Sequence, residues 1–461
     1  MSENRSLRRA SYGPSSPEIG ARGTTTRRKI VDVSLVLFGE LGFFNTSVEA
    51  IAKAAGVSRA TLYQYFPGKD EIFLELMDEC GSALLRVTRR IGPLGPTPTG
   101  FDNLNWWLGE WSWVFERYST MFVQWANVAA TESVVQPEID RFVGKYQHQL
   151  ANRLADAELD GLDPAFAAMA MMAVVHRVNL YLHTDRAHGR SVESVVDALS
   201  MFLQLVFFPD TPASVFDTLP LRVDSAQVIT IPPIPAARGI TIEEGTRDLS
   251  TRARHTVERL VAAGAAQFAA RGYHRANVDD IVAAAGYARG TFYKYFNEKQ
   301  DLLLTVSAEA EATAIALGDE LRHLRPPDVD PAAFRGWLSR FVEFEAEFGG
   351  VIDVWIQRST ERGTEQSLVA DLGAYGEAMT DSAILDFLST VDRPDVPFDP
   401  IASVLIFRAI MERLARASQE IETPLNPDQI VDLMAAVIER GFFRQRHTEP
   451  QPSRASNSVD I

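Results

Sequence analysis

What most constrains this chain is a repeat inside it. VSRATLYQYFPGKDEIF (57–73) and YARGTFYKYFNEKQDLL (287–303) nearly coincide, and setting Phe38 on Phe268 keeps the two halves in register without a gap. Gly42 then aligns with Gly272, Val48 with Val278, Ile51 with Ile281, Arg59 with Arg289, Tyr65-Phe66 with Tyr295-Phe296 and Lys69 with Lys299. Trp107 with Trp337, Trp111 with Phe341, Tyr118 with Phe348 and Trp125 with Trp355 hold the same offset well beyond the short motif. Self-similarity at one fixed offset means one structural unit built twice. A length of 461 residues agrees, being too long for a single compact core.

The units read as all-α. Apolar residues recur at three- and four-residue spacing, alternating β-branched runs are scarce, and Pro or Gly falls between segments. Residues 209–245 hold six prolines and no helical period, which predicts a linker over 210–249. A flexible chain of that length spans ~35 Å between its ends. The expected division is a disordered basic tail (1–24), a first helix-turn-helix domain (25–72), a first helical body (73–209), the linker, a second helix-turn-helix domain (250–302), a second helical body (303–445) and a disordered tail (446–461).

The repeated motif has a specific geometry. Thr46-Ser47-Val48-Glu49 has the form of a capping box, with the Thr46 hydroxyl accepting from the Glu49 amide and Glu49 reaching back. Val48, Ile51 and Ala52 give the inner face of a two-turn helix, and Gly56 ends it in a left-handed conformation free of a Cβ clash. Ser58 caps the next helix, Arg59 to Tyr65, with Leu62 and Phe66 inward. Two short helices joined by a glycine turn make a helix-turn-helix, whose second helix enters the DNA major groove with its first residues at the base edges. These are Ser58, Arg59, Ala60 and Thr61, and an arginine there is suited to a bidentate contact with guanine O6 and N7. Tyr63, Tyr65 and Lys69 lie at the margin, where phenol and ammonium groups meet phosphate.

The run F-x3-G-[FY]-x3-[TS]-V-x2-I-A-x2-A-G-V-S-x2-T-L-Y-x-Y-F-x2-K-x2-[IL]-F resembles the DNA-binding domain of the TetR family of bacterial transcriptional regulators, over about fifty residues of each copy. The resemblance implies three DNA-binding helices followed by a helical ligand-binding and dimerisation domain. It carries over Thr46, Ser47, Ser58, Arg59, Thr61, Tyr63, Tyr65 and Lys69 as DNA contacts. In the second copy the corresponding set is Asn277, Ala288, Arg289, Gly290, Thr291, Tyr293, Tyr295 and Lys299. Here the family's Thr is Ala276, and Val-Ser ahead of the recognition helix is Tyr287-Ala288. One capping hydroxyl is lost, worth ~1 kcal/mol.

Members of the family bind as homodimers, with two recognition helices about one DNA turn apart. One chain with two copies supplies both, and a tether holds the pair at an effective concentration of around millimolar. The expected partner is therefore a double-stranded DNA operator with imperfect or non-palindromic half-sites, gripped by a monomer acting as a pseudo-dimer. Pairing falls to the last two long helices of each copy, 165–187 with 192–208 and 399–418 with 427–443. Pairing between chains in a larger assembly is the alternative.

Trp107, Trp111, Tyr118, Phe122 and Trp125 trace one helix face, answered in the second copy by Trp337, Phe341, Phe348 and Trp355. Such a stripe is core packing or the wall of a ligand site. The family resemblance points to a hydrophobic small-molecule effector such as a lipid, sterol or aromatic molecule, expected in the first copy. His176, with Arg177, Asn179, Tyr181 and His183, offers polar groups either to that ligand or to an interface. Glu343, Glu345 and Glu347 read as solvated surface.

Charge supports the division of labour. The chain carries a formal −16, yet residues 1–75 hold ten Lys/Arg against eight Asp/Glu, and residues 246–303 nine against six. Two weakly basic segments on an acidic body would orient the molecule on a polyanion. A lone cysteine, Cys80, reads as a buried apolar residue. No run of ~18 apolar residues suggests a membrane span, and a cytoplasmic protein is expected. No nucleophile elbow, phosphate loop, metal-ligand set or carboxylate pair points to an enzyme or a cofactor. The competing reading is an architectural DNA binder without an effector.

Overall fold

The computed structural model describes residues 17–123, 135–220, 228–237, 247, 249–324, 330–360, 368–391, 396–417 and 425–443. Regular structure among them is helical throughout. The first copy comprises α1 (Pro17–Leu41), α2 (Val48–Ala55), α3 (Arg59–Tyr65), α4 (Lys69–Arg89), α5 (Pro98–Arg117), α6 (Gln136–Ala155), α7 (Pro164–His183) and α8 (Val192–Phe207). The second repeats the order as α9 (Thr251–Arg271), α10 (Val278–Ala285), α11 (Arg289–Phe292), α12 (Lys299–His323), α13 (Pro331–Thr360), α14 (Leu368–Leu388), α15 (Pro400–Ala409) and α16 (Pro427–Phe442). A π turn, Ile410–Leu414, continues α15 into the short helix Ala415–Ala417.

Local chemistry explains the punctuation. Asp163 caps α7 by accepting from the amides of Ala165 and Phe166, and Asp399 caps α15 at the amide of Ala402, each followed by Pro at the first helical position. Gly56 and Gly286 close α2 and α10 with φ of 67° and 74°. Helix α1 starts at Pro17, so residues 17–24 belong to a helix and not to the tail expected there. Proline suits that start because its missing N–H has no intrahelical partner in the first turn. Neither head is separated from its body by a break: α4 and α12 run unbroken through residues 72–73 and 302–303. Within 210–249, residues Ala213–Thr218 form a 3₁₀ turn that buries Val215 and Phe216 against Phe101, Met201 and Leu205, so this stretch is anchored despite its prolines. The polar segments 1–16 and 446–461 lie outside the described residues.

The two bodies meet along α7 and α8 of the first copy and α15, its π turn and α16 of the second. The seam is apolar at its centre, where Phe202 packs on Phe442 at 4.7 Å and Gly441 leaves room for the Phe202 ring. Burying a side chain of this size contributes about 1.5–3 kcal/mol. Around it runs a buried polar network. Tyr181 Oη donates to Glu412 at 2.7 Å, Arg186 Nε to Glu377 at 2.7 Å and Arg190 Nε to Asp399 at 3.0 Å, while His188 Nε2 lies 2.7 Å from Asp381. Arg408 returns to the Arg186 carbonyl at 3.2 Å and Arg440 to that of Val206 at 3.0 Å. In the same helix Arg177 Nε lies 3.6 Å from Glu412 across the seam, while Asn179 donates to the Val175 carbonyl of its own helix at 2.8 Å. Helix α7 is long and apolar enough to cross a membrane, and most of it is buried inside the protein.

Candidate nucleic-acid interface

Each head is built by a helix-turn-helix whose local details differ from the sequence expectation in an informative way. The cap of α2 is Ser47, whose hydroxyl accepts from the Ala50 amide. Thr46 is 1% exposed, and its hydroxyl donates to the carbonyl of Gly42 at 2.8 Å. Thr46 is therefore a bracket for the preceding turn and is not available to DNA, and Glu49 closes no capping box. In the second head Asn277 takes the cap, accepting from the Asp280 amide at 2.8 Å, and Ala276 is buried where Thr46 was.

Lys69 and Lys299 are also corrected. Lys69 Nζ donates to the carbonyls of Phe43 (2.7 Å), Phe44 (3.2 Å) and Thr46 (3.2 Å) and lies over the Phe43 ring at 4.6 Å. Three N–H groups meet three carbonyls, leaving nothing for phosphate. Lys299 Nζ donates to two carbonyls, those of Tyr273 (2.7 Å) and Ala276 (2.8 Å), and lies over the Tyr273 ring at 4.3 Å. Both lysines tie the recognition unit to the turn before it, and partial burial lowers the pKa of each.

The exposed tip carries the rest. Ser58, Arg59 and Ala60 are exposed, Tyr63 is exposed, and Thr61 and Tyr65 are half-buried; Ala288, Arg289, Gly290, Tyr293, Thr291 and Tyr295 repeat that pattern position by position. Ser58 Oγ accepts from the Thr61 amide at 3.0 Å and starts a seven-residue helix. Ala288 has no side-chain cap, and α11 is four residues long before the chain passes into a turn. The missing hydroxyl thus leaves a shorter recognition helix.

Sequence reasoning missed what holds the recognition arginines. Arg59 pairs with Glu49 of α2, and Arg289 Nη1 with Asp279 of α10 at 2.8 Å. Tyr293 Oη lies 3.4 Å from Arg289 Nη2, and hydrogen bonds to Tyr63 and Tyr293, with the two carboxylates, hold both guanidiniums above their ordinary pKa. The signal was present in the sequence: an acid stands ten residues before each arginine, glutamate once and aspartate once. A fork held between a carboxylate and a phenol has fewer rotamers to lose on meeting a base edge.

The aromatic stripe resolves differently in the two bodies. In the first, Trp107 and Trp111 are buried, Trp111 Nε1 donates to Tyr146 at 3.1 Å, and Phe115 stacks on Phe122 at 4.6 Å. Tyr118 and Phe122 are buried as well, and His176 lies edge-on to Phe115 at 5.9 Å, its pKa lowered to about 3 by burial. The site expected in the first copy is therefore filled with its own rings. Trp125 lies outside the described residues. In the second body Trp337, Phe341 and Trp355 line a cavity, while Phe348 is buried elsewhere. Glu345, expected on the surface, is buried at 4% exposure; Glu343 and Glu347 are exposed. Cys80 is buried, its thiol pushed up to about 12 and so unreactive near neutrality.

The sequence pattern of bacterial regulatory proteins, tetR family, matches residues 30–76 and again 260–306. The HTH-type transcriptional regulator AcrR of Shigella flexneri is 45% identical over 53 residues, covering 12% of this chain and 25% of that protein. The HTH-type transcriptional repressor KstR of Mycobacterium tuberculosis is 28% identical over 144 residues, 31% of this chain and 64% of the relative. The biofilm operon negative regulator IcaR of Staphylococcus epidermidis is 24% identical over 157 residues, 34% and 80%. The chain thus spans only a quarter of AcrR and somewhat under two thirds of KstR. A solved TetR/AcrR-family regulator from Thermobifida fusca overlays with a TM-score of 0.30 at 22% identity, over 39% of this chain and 96% of that one. The pattern of the tetR family of bacterial regulatory proteins is thus matched twice in one chain, once over each helix-turn-helix head.

Proposed function

We propose that this protein is a sequence-specific DNA-binding transcriptional regulator, a repressor released by a hydrophobic small molecule, in which one chain supplies both heads of the pseudo-dimer. The division that goes with it is two units, 25–209 and 250–445 with the first reaching back to Pro17, joined by 210–249. The observation that carries the reading is the repetition of an exposed arginine, tyrosine and helix tip in two heads whose bodies are packed together through α7, α8, α15 and α16. Ser58, Arg59, Ala60, Thr61 and Tyr63 read one half-site, and Ala288, Arg289, Gly290, Thr291 and Tyr293 the other, with Ser47, Asn277, Tyr65 and Tyr295 at the phosphates. Because the two sets differ, the operator is an imperfect or non-palindromic pair.

The test is a footprint on the DNA flanking its gene together with the mass of the complex. One chain per operator, with Arg59→Ala and Arg289→Ala relaxing opposite halves, is the expected result. Two obligatory chains per operator, or both changes affecting the same half, would overturn it.

A further inference from the structure

In the fixed register of the repeat, Phe115 of the first body corresponds to Glu345 of the second, and Phe122 to Ile352. The first body closes over a stack of Trp111, Phe115 and Phe122, with ring centres 4.6–5.7 Å apart. The second lacks both phenylalanine rings and holds a cavity of about 60 Å³. The void beside Phe122 is about 10 Å³, no more than one water. The apolar wall of the larger cavity includes Leu317, Leu321, Trp337, Phe341, Ile384 and Phe407. Its polar lining includes Glu377 and Arg408 of the second copy and Arg186, which reaches in from the first. The π turn contributes Met411 and Glu412, a kind of helix irregularity that often marks functional sites.

The atoms left unsatisfied point to the kind of ligand. Glu345 Oε1, Trp355 Nε1 and Arg186 Nη1 are buried without a hydrogen-bond partner, and all three residues line the cavity. The guanidinium charges are already met, Arg186 by Glu377 and Arg408 by Glu377 and by Asp381 at 3.2 Å. Two of these three atoms are N–H donors, and Glu345 already meets Arg416 at 3.4 Å through Oε2, so what the cavity lacks is a neutral acceptor, not a counter-charge, and a charged head group would be buried unmatched.

We propose that the chain holds one small ligand per polypeptide, in the second copy only, and that this ligand is an uncharged apolar molecule with a carbonyl-type oxygen at one end, bound beside Trp355, Glu345 and Arg186. This rests on the reading of a hydrophobic effector and gives it a stoichiometry, a place and a head group. Burial holds the Glu345 carboxyl at about 7, so near neutrality much of it keeps a proton to donate to that oxygen. The helix carrying Glu345 and Trp355, α13, also touches the second head, where Gly350 abuts the backbone of Phe268 and Ala269. Ligand therefore acts first on the second half-site.

The experiment is native mass spectrometry of the full chain, without DNA, against 2-octanone, octanoate and octylamine. One 2-octanone per chain is expected, with the acid and the amine binding roughly tenfold or more weakly. Trp355→Phe should weaken the ketone about two- to tenfold, the range for one lost hydrogen bond. Glu345→Phe and Ile352→Phe, each restoring a ring that the first copy has, should abolish it; near-UV dichroism shows which variant is folded, and either suffices. Two ketones per chain, no binding of any probe, preference for octanoate or octylamine, or binding that survives in a folded ring-restored variant would overturn the proposal. Since no DNA is present, failure here leaves the operator reading standing, and failure of the footprint leaves the ligand count measurable.

Discussion

The two bodies are the same fold with opposite interiors. One spends its central positions on rings that stack, and the other replaces them with a carboxyl group, an isoleucine and a cavity. The same trade appears where head meets body. In the first copy Gly39 of α1 lies against Thr120, so close that a Cβ on the glycine would come within 2.8 Å of the threonine hydroxyl. In the second, the corresponding pair is Ala269 and Gly350, with the glycine now on the body. Duplication kept the helices and their order, and let each copy choose which side of a contact yields space. The lesson is that a repeated pattern guarantees a repeated scaffold but not a repeated interior, because close packing is solved anew at every contact.

The largest effect should come from Gly350→Thr, which drives a side chain into the backbone of α9 and should cost about 3 kcal/mol. Thr120→Gly, its mirror in the first copy, removes only a side chain and should cost about 1 kcal/mol. Urea denaturation of both variants measures the difference; equal costs would mean the two junctions are not alternatives of one design.

Next comes pH. Glu345 has its folded pKa raised to about 7, so it binds a proton in the folded state over a range where the unfolded chain does not. Its contribution is full below the unfolded value near 4.5 and is lost as pH rises through 7, by at most ~3 kcal/mol. His176 runs the other way, with its folded pKa lowered to about 3, so stability from that site is present above 6.5 and falls as pH is lowered. Tm measured from pH 5 to 8 should therefore decline less steeply toward high pH in Glu345→Gln than in the parent, while a His176→Leu variant should resist acid better. A shared sign for both variants would break the contrast.

A smaller effect belongs to the heads. Ser58→Ala should cost ~1 kcal/mol and shorten α3, and Ala288→Ser should gain a similar amount and lengthen α11. Thermal melts and amide exchange at residues 291–295 follow both changes. Smallest in stability terms are Glu49→Gln and Asp279→Asn, since exposed ion pairs contribute little. Their effect should appear in binding: each variant should hold non-specific DNA more tightly and discriminate less at its own half-site, measured by anisotropy across salt concentrations. Unchanged discrimination would make these carboxylates bystanders.

Features legible in the sequence share a short range. The repeat, the helical period, the glycines at 56 and 286, the cap at Ser58 and its loss at Ala288 all depend on residues within one or two turns of each other. Backbone dihedrals and i to i+3 or i+4 spacing settle such questions locally. The exposed tips of α3 and α11 were readable for the same reason, since a helix start fixes which side chains stand exposed.

Tertiary structure alone decided the rest. Whether Lys69 faced phosphate or three carbonyls depended on its reaching back to a turn 23 to 26 residues earlier in the chain. Glu345 has the alternating acidic neighbours of a surface helix and is nonetheless buried, because its side of α13 packs where Arg416, beyond the π turn, reaches its Oε2 at 3.4 Å. Tyr181 meets Glu412 across 231 positions. Propensity and period say which face of a helix is apolar; they do not say what will be packed against it, and it is that choice of partner that turns a stripe of aromatics into solid core in one copy and the wall of a cavity in the other.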